Sequence, residues 1–306
     1  MTSTERYGSP GAVEAAIRNA AAKAAKAAKE APSLSTAERI RMEYFHRFLC
    51  RVFSETEQSD WVLKGGTGML ARIASARATK DIDLFNRHNS LEDALEELRH
   101  LAATDLGDFF QFVFTGAEKA VGGEEQPYTD GRKVHFDIYI GANKRGNLNV
   151  DLVTGSAMTD EPEYLEPSNS LVLPKLHSVP YRLYPVVDQI ADKVCATLTV
   201  FNGRQSSREK DLVDLVTLAT TYDIDGSRLT LAISQEARVR KLNLPGQFEL
   251  PSSWGAVYSS EAAKVPACSR HLSIEQAQQL MHSFVGTVLV GEARGKSWNR
   301  DILDWR

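Results

Sequence analysis

The five residues Asp81-Ile-Asp-Leu-Phe85 constrain this chain more than any other stretch. Carboxylates and aliphatic side chains alternate, which is the pattern of a strand with one buried face. Ile82 and Leu84 then enter a core, and Asp81 and Asp83 share the opposite side. Two like charges on a half-buried strand repel unless a cation lies between them, so the pair is a candidate cation site. The alternative is a strand whose carboxylates simply face solvent. A second pair, Asp223-Ile-Asp225, runs into Gly226-Ser227 between helical segments, where Asp and Gly serve caps and turns, and is read as structural.

Upstream, the apolar run Trp61-Val-Leu63 meets Lys64-Gly-Gly-Thr-Gly68, and Met69, Leu70 and Ile73 follow at helical spacing. The order is strand, glycine turn, short helix, strand. Backbone N–H groups at such a helix start can cradle a phosphate, with Thr67 adding a hydroxyl. No Gly-Lys-Ser/Thr follows this turn and the chain has no G-x-G-x-x-G, so it is not a Walker loop and the familiar nucleotide signatures are absent. Leu148-Asn-Val-Asp-Leu-Val153 alternates like residues 81–85 and supplies a third carboxylate, Asp151. Asp137, in His135-Phe-Asp-Ile-Tyr139, competes, and Asp151 is preferred. Hard oxygen donors without convergent His or Cys favour Mg²⁺, or Mn²⁺, over zinc.

Pro10 opens an alanine-rich helix expected to reach Ala31 and to stop at Pro32. Ser35 and Glu38 form a capping box ahead of Ile40, Tyr44, Phe48 and Val52, which mark a second helix. Leu91–Leu101 reads as a helix; Phe110–Phe114, Val134–Ile140 and Leu148–Val153 read as strands. The last two form an antiparallel hairpin through the basic, turn-rich Gly141–Asn147. An acidic, proline-bearing connection through Glu161, Glu163 and Glu166 leads to helices marked by Val187, Ile190, Val194 and Leu198, then Leu212, Leu215, Val216 and Ala219, then Ile274–Val290. The expected class is α+β, a mixed sheet with flanking helices plus a mainly helical C-terminal lobe. The expected division is residues 1–34, 35–165 and 166–306.

Lys and Arg number 36 against 40 Asp and Glu, a net charge of −4, which excludes a nucleic-acid binder held by bulk positive charge. Local patches remain: Lys23, Lys26 and Lys29; Arg39, Arg41, Arg47 and Arg51; Lys144-Arg145; Arg238, Arg240 and Lys241. Three cysteines, Cys50, Cys195 and Cys268, lack C-x-x-C spacing, which argues against a disulfide scaffold or structural zinc and fits a cytoplasmic protein. The seven histidines show no metalloprotease spacing and are read as structural. No apolar run approaches membrane-spanning length, and the N-terminus has no apolar export segment.

The block Trp61-Val-Leu-Lys-Gly-Gly-Thr67, one helix, then Arg77-x-Thr79-x-Asp81-Ile-Asp83-Leu-Phe resembles the signature of AbiEii/AbiGii-type nucleotidyltransferases, toxins of bacterial toxin–antitoxin systems. They lie within the DNA polymerase β-like nucleotidyltransferase superfamily. A second block, Asp188-Gln-Ile-Ala-Asp-Lys193 followed by Arg208-Glu-Lys-Asp211-Leu-Val-Asp214-Leu, is similar to the family's downstream lysine and R-x-x-D-L-x-D-L helix. The resemblance implies a nucleotidyltransferase-like sheet and a metal-dependent enzyme that transfers NMP from NTP, releasing pyrophosphate. The implied acceptor is the 3′ end of tRNA, which blocks translation, and a cognate antitoxin is the implied partner. Gly65, Gly66 and Thr67 would bind the triphosphate. Asp81, Asp83 and Asp151 would hold Mg²⁺ or Mn²⁺, Lys193 would neutralise the phosphates, and Asp211 matches a later essential aspartate beside Asp214. Arg77 and Arg208 are either phosphate contacts or arginines paired with carboxylates. A protein or small-molecule acceptor, or a non-catalytic binding protein, are the competing outcomes.

Overall fold

The computed structural model describes residues 6–28, 34–54, 59–87, 89–119, 131–155, 157–200, 203 and 205–306. The chain divides into two compact units. The first comprises 1–74, 78–156 and 162–183, and the second 75–77, 157–161 and 184–306.

In the first unit, α1 (Pro10–Ala27) starts at an Ser9 cap with Pro10 in its first turn and buries Val13, Ile17 and Ala21. It packs on α2 (Thr36–Val52), whose Ser35–Glu38 capping box is formed in both directions. Lys29, Ala31 and Pro32 lie outside the described residues. There follow β1 (Trp61–Leu63), α3 (Gly65–Arg72), β2 (Ile82–Asn86), α4 (Leu91–Ala102), β3 (Phe110–Lys119), β4 (Gly131–Ile140), β5 (Asn143–Thr154), β6 (Glu163–Leu165) and β7 (Tyr181–Leu183).

These strands form one mixed sheet in the order β3-β4-β5-β2-β1-β7-β6. β2 runs parallel to β5 and antiparallel to β1; β4 is antiparallel to both β3 and β5. Trp61, Ile82, Leu84, Phe136, Val150 and Leu152 are fully buried on the core side. At about 1.5–3 kcal/mol per large apolar side chain, this face is what fixes the register, because a slip of one residue would turn it to water. The hairpin turn is shorter than expected. Gly141, at φ 59°, and Ala142 make the whole turn, and Asn143–Asn147 already belong to β5. A register shift at Ile138/Tyr139 absorbs the offset.

The second unit holds α5 (Val186–Leu198), α6 (Glu209–Thr221), β8 (Ile224–Asp225), α7 (Gly226–Val239), α8 (Ala256–Ala262), α9 (Ile274–Met281), α10 (Thr287–Leu289), β9 (Ser297–Asn299) and β10 (Asp304–Trp305). Asp225 caps α7 by accepting from the Arg228 N–H, and Asp223 accepts from the Arg300 N–H, so this pair is structural as expected. The helix expected over Ile274–Val290 is not uniform: a π turn at His282–Gly286 joins α9 to α10. The small sheet β10-β9-β8 was not expected, since two- and three-residue strands are too short for alternation to show. Trp298 and Trp305 anchor it on Phe284, with ring centroids 4.7 and 5.8 Å away.

Candidate active site

Because β2 and β5 are parallel neighbours, Asp83 stands in register with Asp151, and across the β4–β5 ladder Asp151 stands opposite Lys133. The Lys133 ammonium lies 3.0 Å from Asp151 Oδ1. One side of the sheet therefore carries a row Asp83, Asp151, Lys133. A second row runs beside it. Asp81 Oδ1 accepts from Asn149 Nδ2 at 3.1 Å, Asn149 Oδ1 meets His135 Nδ1 at 2.9 Å, and His135 Nε2 faces Glu118 at 3.4 Å. That chain of contacts orients the Asn149 amide, with Nδ2 toward Asp81 and Oδ1 toward His135. Burial would lower the Lys133 pKa, but its hydrogen bond to Asp151 and the charges of Asp151, Asp81 and Asp83 raise it above the ordinary lysine value.

Asp137 lies on the same side of β4, but its β5 partner is Asn147 and its carboxylate is held by Lys144 at 2.6 Å. It is four residues along the strand from Lys133. Lys133, Asn149 and His135 are the residues of this face that sequence reasoning missed. The signal was the alternation through Lys133, Val134, His135, Phe136 and Asp137, whose odd members share the side of the carboxylates.

Gly65 begins α3 at φ 55°, and a Cβ built on it would collide with the Asp83 carboxylate. The glycine is required twice, by its conformation and by its closeness to Asp83. The N-cap residue of α3, Lys64, makes no side-chain cap hydrogen bond. The Thr67 hydroxyl, buried, donates to the Asp81 carbonyl at 2.9 Å. Its proton is therefore committed to the turn before β2. Among the described residues, no group of three or more His, Cys, Asp or Glu side chains already stands at metal-holding spacing. The donors nonetheless suit a hard divalent ion, being carboxylate oxygens on two strands held in register, with a cation already drawn in beside them.

The second unit has its own charged cluster. Lys193 on α5 is buried and donates to Asp211 at 3.0 Å and to Asp214 at 2.6 Å, the two aspartates lying one turn apart on α6. Arg77 Nη2 pairs with Asp214 at 2.8 Å, and Arg208 Nε with Asp211 at 2.7 Å. Burial opposes charge on Lys193, but Asp211 and Asp214 raise its pKa; burial likewise opposes charge on Asp211, and Lys193 and Arg208 hold its pKa low. The five side chains comprise three cations and two carboxylates.

The proposed basic patches are corrected in three places. Arg47 is buried against Glu43 at 2.8 Å, and Arg51 against Asp108 at 2.7 Å, because a guanidinium inside a helix pair persists only with a carboxylate partner. Arg240 is likewise enclosed by Asp192 and Glu236. Lys23, Lys26, Arg41, Arg238 and Lys241 are exposed. Burial pushes the thiols of Cys50 and Cys268 up to about 11 and that of Cys195 to about 12, which makes them unreactive core residues. No helix among the described residues is long and apolar enough to cross a membrane.

A family model, Nucleotidyl transferase AbiEii toxin, Type IV TA system, matches residues 47–299, a span containing both charged clusters. With the mixed sheet beneath it, that match defines the class: the protein is a nucleotidyltransferase. The chain belongs to the AbiEii family of toxin nucleotidyltransferases. Among solved structures, it is similar to JHP933 from Helicobacter pylori at 14% identity and TM-score 0.39, with 66% of this chain and 79% of that one covered. A second structure, of a protein described as a candidate nucleotidyltransferase from H. pylori, gives 15%, 0.38, 65% and 76%. Comparison with curated proteins gives no match.

Proposed function

We propose that this toxin transfers NMP from an NTP to the 3′ end of tRNA in the cytoplasm, using a divalent ion, and that a cognate antitoxin restrains it. The observation that carries this reading is the register of Asp83 with Asp151, with the Gly65 backbone pressed against Asp83. Asp81, Asp83 and Asp151 would hold Mg²⁺ or Mn²⁺. A bound divalent ion would polarise the phosphoryl oxygens and favour the alkoxide form of the acceptor hydroxyl.

The chain's own residues then divide the remaining work. Gly65, Gly66 and Thr67 offer main-chain N–H groups to the triphosphate, and the Thr67 hydroxyl fixes the Asp81 turn. Asn149 orients the Asp81 carboxylate. The acceptor oxygen forms a bond to the α-phosphorus, the bond from that phosphorus to the bridging oxygen breaks, and pyrophosphate leaves. Asp151 takes the acceptor's proton. Lys193, oriented by Asp211 and Asp214, offsets phosphate charge, and Arg77 and Arg208 are paired with the same two carboxylates.

The test is incubation with total tRNA, Mg²⁺ and each of four α-labelled nucleoside triphosphates. Label in tRNA with at least one nucleotide is expected. Label that survives ribonuclease would move the acceptor to protein, and no label in tRNA under any nucleotide overturns the tRNA assignment.

A further inference from the structure

We propose that Lys133 is a built-in cation of the carboxylate row, holding Asp151 beside Asp83 until a divalent ion arrives and displaces its ammonium. The inference rests on the metal-binding role proposed for Asp81, Asp83 and Asp151. Three observations support it. Lys133 is the β4 register partner of Asp151, which is the β5 register partner of Asp83, so the ladder itself delivers the ammonium to the carboxylates. Its Nζ sits 3.0 Å from Asp151 Oδ1, an oxygen sealed from solvent. Asp151 is itself about a third exposed at its side chain, so the pair stands where dissolved ions can reach it.

The physical logic is competition for one set of negative charges. Without a cation, three nearby carboxylates would repel one another in a half-buried setting, so a row assembled before metal entry needs a positive charge of its own. An ammonium on a flexible four-carbon stem can serve and still leave, since it is a point charge with no fixed fork of donors. Lys133 is about a quarter exposed at its side chain, so water lies open to it when it withdraws. It is a positioning residue: it acts through Asp151.

Its removal should therefore leave a row that binds metal more tightly and stands less well without it. Mn²⁺ binding by calorimetry, without nucleotide, would be measured for the wild type, Lys133→Met, Lys133→Arg and Asp83→Asn, alongside melting temperatures in chelator. Lys133→Gln replaces Lys133→Met if the latter does not fold. Lys133→Met is expected to bind Mn²⁺ about tenfold more tightly, because a competing charge within a few ångströms is gone. It should melt lower than the wild type in chelator and gain more from Mn²⁺. Lys133→Arg, which keeps the charge, should stay within about twofold of the wild type by the same charge argument. If Lys133→Met binds Mn²⁺ no more tightly than the wild type while Asp83→Asn loses binding, the role of Lys133 is overturned and the metal site stands. If no protein binds Mn²⁺ at the row, the metal-binding role falls and Lys133's role with it.

Discussion

Gly65 is the residue at which backbone and carboxylate chemistry meet. Gly65→Ala places a methyl group on the Asp83 carboxylate and an L-residue at φ 55°. It should cost about 1–3 kcal/mol in urea unfolding and remove transfer activity, since Asp83 must move. Lys193→Met also touches the fold. It removes the ammonium shared by the buried Asp211 and Asp214, which keep Arg208 and Arg77, a change of about 1.5–3 kcal/mol, so lost activity in that variant reports stability as well as chemistry. Asp81 and Asp83 were legible because alternation over five residues is local. Lys133 was not, because its neighbours depend on which strands pair and in what register. Lys193 was legible through its motif, but its enclosure by two carboxylates was not.

Helix α2 shows how an element can hide its electrostatics. Its capping box and four-residue apolar spacing were plain in sequence, yet the same helix buries Glu43, His46, Arg47 and Arg51. Burial, against the pull of Arg47, raises the Glu43 pKa from 4.5 to about 7. Burial and the charge of Arg47 lower that of His46 from 6.5 to about 3. Glu43 thus contributes stability fully below pH 4.5 that is lost as pH rises through about 7; His46 contributes stability fully above pH 6.5 that is lost as pH falls through about 3. Between pH 4.5 and 6.5 the two slopes oppose each other. Relative to the wild type, Glu43→Gln should change the slope of unfolding free energy by about +1.4 kcal/mol per pH unit in that window, and His46→Gln by about −1.4. Urea titrations at three pH values would read this, and slopes matching the wild type in both variants would contradict the buried assignments.

At the scale of the molecule, the α+β class followed from two different periodicities, strand alternation in the first half and helical spacing in the second. The β10-β9-β8 sheet escaped because its strands are too short to have a period, and Trp298 and Trp305 are held there by ring packing. Membership of a toxin family makes a prediction for the whole cell: induced expression should arrest growth, and Asp83→Asn should abolish the arrest at equal protein level. Co-expression of an adjacent gene encoding the antitoxin should restore growth to the wild-type strain. Continued arrest by Asp83→Asn would place the toxic action outside the carboxylate row.

The most direct measurement is pyrophosphate release from nucleoside triphosphate in the presence of tRNA and Mg²⁺, comparing the wild type with Asp83→Asn after matching their melting temperatures. Release by the wild type that falls at least about a hundredfold in Asp83→Asn, and stops on chelation, is the predicted result. Equal release by the two proteins, or release indifferent to chelator, would contradict a carboxylate-held divalent ion as the centre of this enzyme.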